Sequence, residues 1–318
     1  DSRVRVTAQL INAEFDHHIW AERYDRELED IFEVQDDVTR RIVATLSPEL
    51  ARSEQKRSAR SQPQDLKAWD YLQRGAFYSY QFSKEGSELG REMFQKALDI
   101  DPSYARAFAE IAFSHAVDLG LGHAASGGDT MSELSKAARE AVRLDPSDSM
   151  AQLMLSFAYA WTDQYDLSIS TVERAIDLNP SYARALGHLG TMLDLTGRHD
   201  AGITGLRDSL RLNPNKPFIS QWHLTFLARA LVVVRRYEEA VEAARKAISV
   251  RATHLPAHYI LAVALGHLDR QSEAQAALAQ CEREQPGFVQ ERTEWRPYRD
   301  EARNDHIFEG LRKAGWTG

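Results

Sequence analysis

The chain has 318 residues, 43% of them hydrophobic and 27% charged, with a formal net charge of −8 and one cysteine. That balance excludes a disordered chain, and Cys281 alone excludes an internal disulfide. The acidic charge argues against a nucleic-acid partner, and no run of 18 apolar residues is present to span a membrane.

Arg3 to Leu10 alternate, with Val4, Val6, Ala8 and Leu10 on one side and Arg5, Thr7 and Gln9 on the other, which predicts a half-buried strand. After Asn12 to His17 a second extended run passes through Ile19, Trp20 and Ala21 to Tyr24, so a hairpin with a loop of more than two residues is expected. Asp30 and Glu33 then have capping-box spacing before Val34, Val38, Ile42 and Leu46, an apolar stripe at helical period. Ser47-Pro48 ends that helix. Arg52, Lys56, Arg57 and Arg60 follow on a polar segment that reads as a solvated connecting helix, and 61–64, with Pro63, reads as a linker.

From Asp65 the chain is periodic. The ending L-[DN]-P closes at Pro146, Pro180 and Pro214, each 34 residues after the last, and the same register reaches back to Pro102 and forward through Ala252 to Pro286. Small residues recur within each period at Gly75, Ala112, Ser156, Gly190, Ala228 and Ala262, where two helices must approach closely. Cys281 falls where a small buried residue is due, so packing outweighs redox chemistry there. The interval from Pro102 to Pro146 is ten residues too long, and Gly120, Gly122, Gly127 and Gly128 place a flexible turn in that insertion. Without a preceding strand or G-K-[ST] those glycines do not read as a phosphate loop. Four extra residues precede the fifth period, around Asn215 to Ser220. Beyond Pro286, Ile307, Leu311 and Ala314 form one stripe of a helix whose other face is charged, as a terminal cap requires.

No catalytic constellation emerges. His17 and His18 are adjacent on an extended segment and point to opposite faces. His254 and His258 have helical spacing, but Pro256 lies between them and no third ligand is near in sequence. No G-x-S-x-G, H-E-x-x-H, Walker loop or paired cysteine motif occurs, so the chain reads as non-catalytic, without metal or cofactor.

The 34-residue period with these small residues and terminal prolines resembles the tetratricopeptide repeat, a helix-turn-helix unit that buries its apolar face only against its neighbours. RVRVTAQLINAEFDHHIWAERYDRELEDIFEVQDDVTRRIVATL resembles the closing half of the TolB-like amino-terminal α/β domain of bacterial regulators, and EGLRKAGW at Glu309 to Trp316 resembles the ending of their cyclase-linked members. These resemblances imply an all-α, right-handed superhelical solenoid with a small hairpin and helix left from an α/β domain. The implied division is 1–46 for that α/β remnant, 47–64 for the connecting helix and linker, 65–286 for six repeats and 287–318 for a capping segment. They further imply a cytoplasmic piece of a longer signalling protein, beginning at Asp1 rather than Met. Its output domain would be a class III adenylate/guanylate cyclase or a CadC-like winged helix, outside this sequence.

The resemblance also implies a concave groove lined by positions 2, 5, 9, 12 and 13 of each first helix. Those positions hold Trp69 and Tyr80 in the first repeat, Arg106 and Phe113 in the second, and Met150, Phe157 and Trp161 in the third. Arg184 follows in the fourth, Trp222 and Arg229 in the fifth, and Tyr259 in the sixth. A protein or peptide segment is the expected occupant. Leu72 and Ala76 stand where the chaperone-binding branch carries its Lys and Asn, so carboxylate clamping is not expected. Self-association is the alternative, as a homodimer through the amino-terminal strand, whose sheet would be incomplete here.

Overall fold

The computed structural model describes residues 3–12, 17–27, 67–122, 127–212 and 217–317. Two antiparallel strands, β1 (Arg3–Asn12) and β2 (His17–Glu27), pair from Arg3 with Glu27 through Val6 with Tyr24 to Asn12 with His17. A register irregularity falls between Leu10 and Ile11. The expected helix through Val34 to Leu46, the connecting segment and the linker lie outside the described residues.

Fourteen helices follow among the described residues. Six successive pairs each pack into a hairpin: α1 (Lys67–Ser79) with α2 (Lys84–Ile100), α3 (Ala105–Leu121) with α4 (Gly127–Leu144), and α5 (Ser149–Ala160) with α6 (Tyr165–Leu178). Then come α7 (Ala183–Leu195) with α8 (His199–Leu212), α9 (Pro217–Val233) with α10 (Tyr237–Val250), and α11 (Leu255–His267) with α12 (Gln271–Glu284). Two more helices, α13 (Phe288–Glu294) and α14 (Glu301–Lys313), end the chain. The chain divides into two compact units, Asp1–Tyr182 and Ala183–Gly318.

The small residues sit where the helices of each hairpin cross. A Cβ on Gly75 would come 3.0 Å from the Gly90 carbonyl, and one on Gly190 would come 2.7 Å from the Gly202 carbonyl. At the third crossing the hydroxyls of Ser156 and Ser168 are 2.9 Å apart and each donates to the other's backbone carbonyl. Ala112, Ala228 and Ala262 are fully buried at the equivalent places.

The [DN]-P-S ending at Pro102, Pro146 and Pro180 has a local cause. The Asp101 carboxylate accepts from the Ser103 N–H and hydroxyl at 2.9 and 2.6 Å, and Asp145 accepts from Ser147 at the same distances. Asn179 accepts the Ser181 N–H in the same way. These side-chain turns close the link from one hairpin to the next, while proline stops the helix before it. Within hairpins the turn needs a left-handed residue, supplied by Phe82, Asp163, Gly197, Arg235 and Asp269, of which only one is glycine.

The ten-residue insertion includes 123–126, where part of the expected turn falls and which lie outside the described residues. It lengthens both helices of its hairpin, with Gly120 inside α3, Gly122 as its left-handed end cap, and Gly127 and Gly128 opening α4. Cys281 is fully buried, and burial pushes its thiol up to about 12. Of the C-terminal segment, α14 was anticipated and α13 was not. The apolar stripe of α14, Ile307, Leu311 and Ala314, is buried, and the helix packs mainly on α11.

Candidate partner-binding surface

In the first unit the first helices of the hairpins, α1, α3 and α5, lie side by side. Trp69 and Tyr80 are half-buried. The Tyr80 ring is 5.3 Å from Phe113, whose other neighbour, Phe82, is 6.4 Å away edge-on. Phe113 itself is buried, and Met150 is core. Arg106 bonds Glu110 at 3.2 Å and lies 3.5 Å from Asp148. Burial opposes its charge, but the two carboxylates more than offset that and raise its pKa. Phe157 is half-buried, and Trp161, one turn further along at the end of α5, is 42% exposed. Trp161 is thus a large ring left in water at the end of its helix, the side-chain type most enriched at contact surfaces.

In the second unit the equivalent helices are α7, α9 and α11, and Arg184, Arg229 and Tyr259 on them are buried. Trp222 is half-buried against Phe226 and stands edge-on to His254, ring centres 4.6 Å apart. His254, which also bonds the Thr225 hydroxyl at 3.0 Å, is therefore a packing residue, and His258 bonds the Ala252 carbonyl.

What covers part of this face is the chain's own C-terminal segment. The Tyr298 hydroxyl donates to Asp194 Oδ2 at 2.6 Å, His199 Nδ1 lies 2.8 Å from Asp194 Oδ1, and the Arg299 N–H donates to the Leu195 carbonyl. The guanidinium of Arg229 lies 4.0 Å from Asp194 and 5.3 to 5.5 Å from the ring centres of Phe226, Trp295 and Tyr298. Arg292 is placed likewise over Phe288 and Trp295. Burial, with the Asp194 carboxylate beside it, holds the Tyr298 phenol well above its ordinary range, so it stays a proton donor. Asn304 fixes the segment by accepting the Tyr298 N–H and donating to its carbonyl.

The repeat register places Arg184 and Arg229 on this face but not Tyr298 or Trp295. The only hint was two aromatics flanking Pro297 in a segment otherwise charged. Among the described residues one His/Cys/Asp/Glu group has metal-like spacing, His267, His306 and Glu309, and it does not involve His254 or His258.

Comparison with known proteins agrees with this architecture. Residues 162–217 match the tetratricopeptide repeat family. A putative adenylate cyclase 3 of Rhizobium meliloti (strain 1021) is 35% identical over 165 residues, which is 52% of this chain. The match spans 28% of that relative's length. Among solved structures, human IFIT1, in a dimer with m7Gppp-AAAA, superposes with a TM-score of 0.60 at 15% identity, over 78% of this chain and 59% of its own. Cut9 with Hcn1, in the crystal structure of an APC/C hetero-tetramer, gives 0.59 at 17% identity, over 78% of this chain and 44% of that one. The helical hairpins of this chain therefore adopt the tetratricopeptide-repeat fold.

Proposed function

We propose that this chain is a non-catalytic protein-interaction module, the regulatory region of a larger adenylate or guanylate cyclase, and that it binds a partner segment on the aromatic face of its first unit. The observation that carries the reading is Trp161, 42% exposed and one helical turn from half-buried Phe157. An exposed tryptophan in such a setting is the residue type that dominates interface energies, typically by about 2 kcal/mol or more on truncation. The putative cyclase that shares 35% identity over half the chain supports the cyclase setting over the winged-helix one. A photo-crosslinking residue at position 161 should give one discrete protein adduct in cells. The same residue at Ile100, equally exposed on another helix, should not. Smears or identical adducts at both positions would sink the proposal.

A second reading is self-association through the amino-terminal hairpin. It is favoured because β1 pairs with β2 alone in a two-stranded sheet among the described residues. Two strands are marginal in water, and an open edge invites a further strand.

A further inference from the structure

We propose that Arg292 and the Tyr259 hydroxyl, backed by the charge of Arg229, form a binding site for a phosphate group beside the C-terminal segment in the second unit. The site does not depend on the aromatic face of the first unit.

Arg292, half-buried on α13, makes neither a hydrogen bond nor an ion pair among the described residues. Its guanidinium lies 5.1 Å from the ring centre of Phe288 and 5.6 Å from that of Trp295. Glu291 precedes it, but that carboxylate is exposed and accepts the Gln285 amide at 3.4 Å. Arg229 lies 5.3 Å from the same Trp295 ring, so two guanidiniums share one indole. Asp194 is 4.0 Å from Arg229 and is already engaged by the Tyr298 hydroxyl and His199, while Arg229 Nε and Nη2 are buried without a hydrogen-bond partner. Burial, with the Arg229 charge nearby, pulls the Arg292 guanidinium below its ordinary value. Two cations so placed, with one carboxylate between them, leave an excess of positive charge that an anion would neutralise.

The neighbouring groups are donors as well. The Tyr259 hydroxyl makes no hydrogen bond among the described residues, and burial holds the phenol above its ordinary range, so it stays a proton donor. Tyr259 and Arg292 each act on the other's titration, which puts the hydroxyl within the field of the guanidinium. The Arg292 charge also reaches His254, the residue before α11. That helix start has no side-chain cap, so the positive end of its dipole adds to the field. A guanidinium fork and a phenol proton in a positive field are the donors that phosphate oxygens take. A carboxylate carries one charge, whereas a phosphate group brings up to two and three acceptor oxygens, which suits two guanidiniums better. Trp295, 46% exposed, lies at the solvent edge, where a ligand can enter.

Thermal melting and calorimetry of the tag-free chain with inorganic phosphate, at constant ionic strength, test the site. The expected result is a saturable rise in melting temperature that acetate does not reproduce. Phenyl phosphate separates the sources: tighter binding than inorganic phosphate marks a phosphate ester as the ligand, and equal or weaker binding marks free phosphate. Arg292→Gln should weaken phosphate about tenfold or more. Tyr259→Phe removes a hydroxyl that has no partner, so it should keep the parent melting temperature and weaken phosphate about threefold or more. Arg245→Gln, at an arginine already paired with Glu273 at 2.6 Å, should leave phosphate binding unchanged. No saturable rise, a rise that acetate matches, or one that survives both Arg292→Gln and Tyr259→Phe would overturn the assignment.

Discussion

Removing one oxygen from Tyr298 tests whether the C-terminal segment is part of the second unit's core. Tyr298→Phe preserves the ring that faces Arg229 and deletes only the hydroxyl donated to Asp194 at 2.6 Å. Both side chains are buried, and the carboxylate retains only His199 at 2.8 Å and Arg229 at 4.0 Å. A hydrogen bond to a charged group is worth about 1.5–3 kcal/mol, and here no water can replace it. For a unit of this size about 1 kcal/mol moves the melting temperature by some 4 °C, so the variant should melt roughly 6–12 °C lower. Circular dichroism melts at pH 7 measure it, with Trp295→Ala as a companion that removes one of the three rings around Arg229. Asp194→Asn should be at least as damaging, because it leaves the buried Arg229 without a counter-charge. If Tyr298→Phe melts within a degree of the parent while Asp194→Asn does not, the Tyr298 contact is not part of what holds the segment down.

Acid should loosen the second unit. Burial, reinforced by Arg184 beside His223 and Arg251 beside His254, holds both imidazoles down to about 3. Their ordinary value of 6.5 is regained on unfolding, so the unfolded chain takes up protons first as pH falls. Each histidine then costs about 1.4 kcal/mol per pH unit below 6.5, or about 2 kcal/mol by pH 5, with full stability present above 6.5. Melts at pH 7 and pH 5 should show that loss, and His254→Gln should remove about half of it; equal melting temperatures for the parent at the two values would refute the argument. For the amino-terminal hairpin, sedimentation should find a dimer that Val6→Pro breaks, since proline removes a backbone donor from β1. A parent chain that stays monomeric at high concentration would show that the edge is not used.

Much of the fold is legible in the sequence because its determinants are local and recur. At Pro102, Pro146 and Pro180 an Asp or Asn before the proline and a Ser after it set the inter-hairpin turn by contacts spanning two residues, as at Asp145 with Ser147. The crossing residues Gly75, Ser156 and Gly190 are likewise legible, because only a small side chain lets two backbones touch, whatever surrounds them. What a period cannot express is a contact made once. Tyr298 finds Asp194 across 104 positions, and no pattern in the sequence ties a Trp-Arg-Pro-Tyr segment to the fourth hairpin rather than to solvent. The insertion illustrates a second limit: glycines that read as a loop were absorbed as a helix cap and a first turn, since helix ends accept glycine as readily as loops do. For the surface the same division holds. Register alone predicts which side of each first helix a residue is on, and it put Met150 and Trp161 on one face, yet Met150 is core and Trp161 stands in water. Exposure is decided by what the neighbouring hairpin and the returning chain cover. The binding face of such a solenoid is therefore better located by asking which aromatics the fold leaves uncovered than by which positions the repeat assigns to it.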